Sequence, residues 1–144
     1  MVRKARKSDL ATLVSLAVLL WDNNSTDALF YEFSEIFTKA NAQFFLKFEN
    51  DMPVGFSQCQ LRYDYVEGTK TTPVGYLEGI FVKEEYRNKG YAKELLAECE
   101  TWAKENGCQE FASDCEMENI DSFHFHKAMN FTEVNRIICF TKEL

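Results

Sequence analysis

An acidic side chain interrupts an otherwise apolar strand near the middle of this sequence. Glu78 lies inside the apolar run at residues 74–82, directly before Gly79. A charge is costly to bury unless it is paired or used, so this position indicates a carboxylate that lines a cleft. There it could bind an amine, or remove its proton directly or through a water molecule. The alternative is a glutamate on the solvated face of an edge strand.

A second acid, Asp114, closes the short apolar strand predicted at residues 110–115. Open α/β sheets place their ligand-binding groups at the carboxyl ends of strands, which makes Asp114 a second candidate for the cleft. The alternative is a turn or helix cap before Glu116.

A basic turn follows the strand that carries Glu78. Arg87, Lys89 and Gly90 precede a segment in which apolar residues recur at intervals of three and four, the period of an amphipathic helix. A helix start presents free N–H groups and the positive end of its dipole, and glycine lets a ligand approach the backbone closely. The strand, turn and helix together predict an anion site, the alternative being an ordinary connection with a solvated basic turn.

Aromatic and imidazole side chains supply further candidates. Trp21, after the first predicted helix, and Tyr65, in a polar loop, could wall a cleft for a sugar or a cation. They could equally form a partly buried edge of the core. His124 and His126 are two residues apart on a predicted helix and face different directions, so no metal site is expected.

Length and composition limit the classes of partner. The 144 residues fit one domain with its own core, and 46% of them are hydrophobic. A net charge of −7 argues against nucleic acid or an anionic membrane as a partner and permits a cationic small molecule. The five cysteines show no Cys-x-x-Cys spacing, which indicates reduced thiols. Neither a signal peptide nor a membrane span is visible, so a cytoplasmic protein is predicted.

The elements that must position these residues follow a β-α-α-β-β-β-α-β-α-β order. This order predicts an α/β (α+β) fold in which a mixed sheet carries helices on both faces. Gly107 is a predicted helix stop, and Gly55 a possible bulge. Strands are predicted at residues 2–6, 42–48, 53–63, 74–82, 110–115 and 136–142, and helices at about 8–20, 26–39, 89–106 and 119–129.

The basic turn, Arg-x-x-Gly-x-Ala at residues 87–92, resembles the acetyl-CoA pyrophosphate loop of the GNAT superfamily of N-acetyltransferases. The element order is also that of the GNAT fold, so the resemblance covers nearly the whole chain and implies a mostly antiparallel sheet. It implies acetyl-CoA as co-substrate, with the Val82 N–H serving the acetyl oxygen if the strand bulges there. The cofactor-binding residues that it implies are Ile80, Phe81, Val82, Arg87, Asn88, Lys89, Gly90, Tyr91, Ala92 and Asn119.

The segment after Asn119 departs from the GNAT pattern. Family members often show Tyr-x-x-x-Gly-Phe there, and the tyrosine frequently protonates coenzyme A. This chain has His126 in place of the tyrosine and Asn130 in place of the glycine. Asparagine tolerates the left-handed conformation of a helix end. An imidazolium at His126 could protonate the thiolate, although a histidine stacked on Phe125 is equally compatible with the sequence.

A narrower resemblance is to aminoglycoside 6'-N-acetyltransferases of the Acinetobacter-type subgroup. It implies acetyl transfer to the 6'-amino group of these antibiotics, which confers resistance, and a homodimer with the C-terminal strand at the interface. Trp21, Tyr65, Glu78 and Asp114 would line the substrate site, together with Asn135 where the subgroup often has an acid. The resemblance lies in residues 62–69, 72–80, 102–103 and 110–114, and in Asn119 with His126.

Two alternatives to this activity stay open. A GNAT enzyme for a polyamine, a metabolite amine or a protein N-terminus would keep the anion loop and ignore aminoglycosides. A non-catalytic acyl-CoA sensor would bind the same cofactor and have no turnover.

Overall fold

A computed structural model describes residues 1–144, which form five strands and four α-helices. Short 3₁₀ turns at Lys7–Asp9 and Glu84–Tyr86 precede α1 and the basic turn. The main elements are β1 Val2–Lys4, α1 Leu10–Leu20, α2 Thr26–Ile36, β2 Ala42–Glu49, β3 Met52–Arg62, β4 Val74–Val82, α3 Tyr91–Glu105, β5 Phe111–Ser113 and α4 Ile120–Ala128.

The strands form a single sheet in the order β1-β2-β3-β4-β5. Neighbouring strands are antiparallel except for β4 and β5, which are parallel and paired over three residues. The predicted mixed, mostly antiparallel sheet is thereby confirmed. β2 and β3 are joined by a two-residue turn in which Asn50 and Asp51 have φ angles of 48° and 64°, as tight hairpins require.

Helices cover both faces of this sheet, as the element order predicted. α1 and α2 pack over Phe44, Leu46 and Phe56, whereas α3 packs over Phe45 and Leu61 on the opposite face. The consecutive strand residues Phe44, Phe45 and Leu46 are therefore buried on alternate sides, as a central strand covered on both faces demands.

A bulge in β4 changes which side chains reach each face. Gln58 lies opposite Gly79 and Cys59 opposite Leu77, so Glu78 has no partner of its own on β3. As a result, Glu78 and Gly79 both face the α1–α2 side, where Trp21 lies against them. The condition set for the Val82 amide, a bulge at Val82, is not met, because Val82 is regularly paired with Gly55 and the extra residue is Glu78.

The last predicted strand is not formed. Residues 131–144 contain no helix or strand and no backbone pairing to the sheet, although residues 136–142 have a strand-like sequence. Ile137, Ile138 and Phe140 are 68%, 81% and 87% exposed, so the apolar pattern has no partner surface within its own chain.

Several boundaries also differ from the predicted ones. α2 ends at Ile36 instead of residue 39, and α3 begins at Tyr91. α1 begins after a 3₁₀ turn, because the Asp9 carboxylate accepts from Arg6 N–H and pairs with Arg3 instead of capping the helix. Gly107, with a φ of 87°, follows α3 as predicted. No helix has both the length and the apolar character that crossing a membrane requires.

Candidate functional site

The sheet opens where β4 and β5 separate. The two strands are paired from Gly75–Phe111 to Leu77–Ser113, and the Glu78 bulge follows immediately on β4. β4 is buried from Val74 to Leu77 but only partly buried from Glu78 to Phe81. Beyond the bulge, one edge of β4 therefore faces a gap instead of another strand.

Backbone groups of β4 point into this gap. Lys83 N–H donates to Val54 C=O at 2.9 Å, so the adjacent pair, Val82 and Gly55, is not hydrogen-bonded. The Val82 carbonyl instead accepts from Arg87 Nε at 2.8 Å, on the side away from β3. Because N–H and C=O of one strand residue point the same way, Val82 N–H also faces the gap. The Val82 amide, which was predicted to serve a carbonyl oxygen, is therefore not hydrogen-bonded to β3, although β4 has no bulge at Val82.

The start of α3 forms one wall of a cavity of about 220 Å³. Gly90 is the N-cap residue with a φ of 82°, and no side chain caps the helix, so its first N–H groups are left without partners. A β-carbon at Gly90 would meet nothing within 4 Å. The cavity lining consists of Val82, Tyr86, Arg87, Asn88, Gly90, Tyr91, Ala92, Lys93, Phe125 and Met129.

Basic side chains surround this uncapped helix start. Arg87 is held by Val82 C=O, and Lys89 Nζ lies 3.3 Å from a Glu49 carboxylate oxygen. The Tyr91 hydroxyl donates to the same Glu49, and this hydrogen bond lowers the pKa of the Glu49 carboxyl below its usual value. Glu49, the last residue of β2, thereby contacts two residues of the basic turn. Free amides, two cations and an open left-handed glycine fit a diphosphate group.

A second cavity, of about 240 Å³, contains two of the predicted substrate residues. Trp21 packs edge-on against Phe33 and Phe56 and covers Gly79, where a β-carbon would come within 2.6 Å of the indole. The small residue after the bulge is therefore what allows Trp21 to lie beside Glu78. The cavity is lined by Trp21, Asn24, Leu29, Glu32, Gln58 and Glu78.

The two predicted acids are linked through two other side chains. Asp114 Oδ2 accepts a hydrogen bond from the hydroxyl of Tyr76. Tyr76 is buried, and this burial, with the neighbouring carboxylate, raises its pKa well above the usual range, so its hydroxyl remains a donor. Glu78 is ion-paired with Arg62, whose guanidinium lies over the Tyr76 ring.

Tyr65 and Asn135, the other predicted substrate residues, meet at a shared acid outside the Trp21 cavity. Tyr65 is 79% exposed, and its hydroxyl donates to Glu67 Oε2 at 2.9 Å. Asn135 Nδ2 donates to the other Glu67 oxygen at 3.0 Å. The pair therefore joins the loop after β3 to the C-terminal segment.

His126 lies beside the last β4–β5 pair. Its Nδ1 is 2.6 Å from Ser122 C=O and its Nε2 is 2.8 Å from Ser113 Oγ, where Ser113 is the partner of Leu77. The ring also lies 5.7 Å from that of Phe125 at an interplanar angle of 80°, which is an edge-on contact and not the stack that the sequence allowed.

Asn119 Oδ1 accepts from Ser122 N–H and caps α4, and this predicted cofactor-binding residue does not line the cavity at the start of α3. No group of three or more histidine, cysteine, aspartate or glutamate side chains is arranged to hold a metal ion.

Comparison with known proteins identifies the family. The model of the acetyltransferase (GNAT) family matches residues 10–131. This chain belongs to the GNAT acetyltransferase family. The relationship suggested by the basic turn and the element order is confirmed.

Curated relatives narrow the relationship within the GNAT family. The chain is 37% identical over 139 residues to an aminoglycoside N(6')-acetyltransferase type 1 of Acinetobacter baumannii, covering 96% of this chain and 94% of that protein. It is 36% identical to a protein of the same name from Serratia marcescens, covering 94% of each.

Solved structures agree with this relationship. AAC(6')-Iy in complex with the bisubstrate analogue CoA-S-monomethyl-acetylneamine superposes with a TM-score of 0.95 at 34% identity, covering 100% of this chain and 98% of that one. The same enzyme with CoA gives a TM-score of 0.96. AAC(6')-Ih from Acinetobacter baumannii gives 0.94 at 35% identity, covering 100% of this chain and 98% of that one.

Some residues of this GNAT site were missed from the sequence. Phe125 and Met129 line the cavity at the start of α3, and their spacing of four residues, typical of one helix face, could have indicated a shared role. Glu67 and Arg62 are visible only through contacts with residues distant in the chain, for which no local pattern exists.

Proposed function

We propose that this protein transfers the acetyl group of acetyl-CoA to the 6'-amino group of aminoglycosides, and so confers resistance to them. The observation that carries this proposal is that β4 contributes to two cavities: its bulge residue Glu78 lines the acid-lined cleft, and its last residue Val82 lines the cavity at the uncapped start of α3. The cleft suits a cationic amine, and the cavity at α3 suits a diphosphate. The relatives named above supply the substrate class.

The cofactor side of the site uses backbone and cationic groups. The free N–H groups at Gly90, Tyr91 and Ala92, with Arg87 and Lys89, would hold the diphosphate. The open edge of β4 from Ile80 to Val82 would pair with the amide groups of pantetheine in place of a sixth strand. Acetyl-CoA supplies an acetyl thioester, whose carbonyl carbon the amine attacks.

The acid-lined side of the site would prepare the amine. Glu78 would bind the ammonium group and remove its proton, directly or through water, and Asp114 would hold a further cationic group. The Val82 N–H, directed into the gap, would donate to the carbonyl oxygen as negative charge develops there. Trp21 and Tyr65 would contact the sugar rings.

His126 would return a proton to the departing thiolate. Its Nδ1 faces the carbonyl of Ser122, so Nδ1 carries a hydrogen, and Nε2, which lies 2.8 Å from Ser113 Oγ, is the nitrogen that would exchange a proton. His126→Gln should lower kcat and leave KM for both substrates unchanged, and a wild-type kcat in this variant would reject the assignment.

The activity has a direct test that also checks regiochemistry. Purified protein, acetyl-CoA and kanamycin or tobramycin should release free coenzyme A thiol, measured with a chromogenic disulfide. The matched control is an aminoglycoside that carries a 6'-hydroxyl in place of the 6'-amine, which should give no release. Turnover with the hydroxy compound and none with the amino compounds would contradict the proposed position of transfer.

We also propose that two copies of the chain associate through residues 131–144. Ile137, Ile138 and Phe140 are exposed in a segment without a strand partner, and pairing with a second copy would bury their side chains and satisfy its backbone.

Light scattering should give the mass of a dimer for the wild type and of a monomer for Ile138→Asp. Tyr31→Asp is the control: it places the same charge at another exposed large side chain, on α2, and this variant should stay dimeric. A monomeric wild type rejects the proposal.

A further inference from the structure

One arginine connects the two acids of the cleft. Arg62 is the last residue of β3, and its Nη2 and Nε donate to Glu78 Oε1 at 2.8 and 3.2 Å. The face of the same guanidinium lies 3.4 Å from the centroid of the Tyr76 ring. Arg62 therefore makes hydrogen bonds in its plane and a stacking contact through its face at the same time.

The hydrogen bonds leave half of the Glu78 carboxylate free. Both are accepted by Oε1, and Oε2 receives none. Because Glu78 also lines the Trp21 cavity, Oε2 is the oxygen available to an amine or to a bridging water there. A fixed Oε1 restricts rotation of the carboxylate, so the direction of Oε2 is set before a substrate arrives.

The stacking contact extends the same control to Asp114. Tyr76 is 7% exposed, packs with Val66 and Val74, and donates its hydroxyl to Asp114 Oδ2. Continuous contacts thus run from Glu78 through Arg62 and Tyr76 to Asp114. The relative placement of the two carboxylates depends on the planar group between them.

Charge alone does not account for this arrangement. A cation beside a site for cationic substrates repels them, so on electrostatic grounds its removal would strengthen amine binding. If Arg62 orients Glu78, its removal should instead reduce turnover. The two roles predict opposite signs, which makes them separable by kinetics.

We propose that Arg62 is a positioning residue that fixes Glu78 by one oxygen and, through Tyr76, sets the separation of Glu78 and Asp114 for the amine. The proposal rests on the proposed function for its substrate. It assigns to Arg62 an effect on turnover and none on cofactor binding.

The test compares Arg62→Ala, Arg62→Lys and Arg62→Met in steady-state assays with both substrates. Alanine and lysine should each lower kcat with the aminoglycoside by about tenfold to a hundredfold. Alanine removes both contacts, and lysine keeps the charge but cannot form two hydrogen bonds to Glu78 while it stacks on Tyr76. KM for acetyl-CoA should be unchanged. Low millimolar guanidinium chloride should restore part of the activity of Arg62→Ala and none of that of Arg62→Lys.

Arg3→Ala is the matched control. Arg3 also forms a two-bond pair with an acid, Asp9, and lies over an aromatic ring, Phe48, but it belongs to the edge strand β1, which does not neighbour β4. It should lose stability without a change in kcat. Arg62→Met keeps the aliphatic stem over Tyr76 and replaces Arg62→Ala if that variant does not fold.

Contradicting results are equally specific. Unchanged kcat in Arg62→Ala would show that Arg62 has no role in turnover. A higher kcat/KM for the amine in Arg62→Ala, or full activity in Arg62→Lys, would show that Arg62 acts through its charge only. Wild-type turnover is measured first with a panel of aminoglycosides and polyamines. Silence with every 6'-amino compound rejects the proposed function, and the Arg62 series is then read with whichever amine is acetylated.

Discussion

Replacing Glu78 with Gln is expected to lower kcat/KM for a 6'-amino aminoglycoside by about a hundredfold, the scale of losing a positioned base. Glutamine has the same shape and can still accept from Arg62 through its carbonyl oxygen, but it neither attracts an ammonium group nor takes its proton. Binding of acetyl-CoA should be unchanged, because Glu78 lies in the Trp21 cavity and does not line the cavity at α3. Steady-state kinetics with each substrate varied in turn, together with calorimetric titration of coenzyme A, measures both quantities.

Glu98→Gln is the control for the Glu78 variant. Glu98 is an exposed acid on α3 without a hydrogen-bond partner, so its replacement changes the net charge equally and should leave the kinetics at wild-type values. The side chain of Glu78 is 21% exposed and that of Arg62 36%, so water can reach the released guanidinium and the variant should fold. A Glu78→Gln enzyme with wild-type kcat/KM for the amine would show that the bulge residue does not act on it.

The sequence predicts the sheet well because most strands carry their own periodic signal. The runs at β2 and β4 are apolar enough to be buried on two faces, and the Asn50-Asp51 turn joins β2 to β3 within the chain. The intervals of three and four in α3 indicate its buried face directly. Local patterns of this kind need no knowledge of distant residues.

The position of the β4 bulge could not be predicted from such a local pattern. Strict alternation would send Glu78 and Gly79 to opposite faces, whereas the bulge sends both toward Trp21. The apolar residues on the α3 side are Leu77, Ile80 and Val82, with a spacing of three and then two. That break in alternation was present in the sequence, but only the packing of Trp21 on Gly79 shows which residue is extra.

The C-terminal segment shows a second limit of prediction from sequence. Ile137, Ile138 and Phe140 have the residue types of a strand, yet a strand exists only through hydrogen bonds to a neighbour. Sequence propensity does not say whether that neighbour belongs to the same chain. The contact between Glu67 and Asn135 was likewise not predictable, since it joins residues 68 positions apart.

Replacing Gly90 with Ala is expected to weaken acetyl-CoA binding by about tenfold or more, which corresponds to about 1.4 kcal/mol for each factor of ten. Gly90 has a φ of 82°, and a non-glycine residue in this region costs about 1–2 kcal/mol. The chain can relieve that strain by rotating the residue out of the left-handed region. Such a rotation turns the free N–H groups at the start of α3 away from the cavity that they face. Calorimetric titration of coenzyme A and thermal unfolding measure the two effects separately.

Gly107→Ala separates backbone strain from loss of the binding geometry. Gly107 has a φ of 87°, and its β-carbon, like that of Gly90, would meet nothing within 4 Å, but it follows the opposite end of α3. The two alanine variants should therefore lose similar stability, while only Gly90→Ala loses affinity for coenzyme A. Equal affinity in both variants would mean that the diphosphate is held by Arg87 and Lys89 without the helix start. Equal weakening in both would mean that α3 moves as a unit, and the affinity would then report stability instead of local geometry. A loss confined to Gly90 leaves the uncapped amides of α3 as the group that recognises the anion.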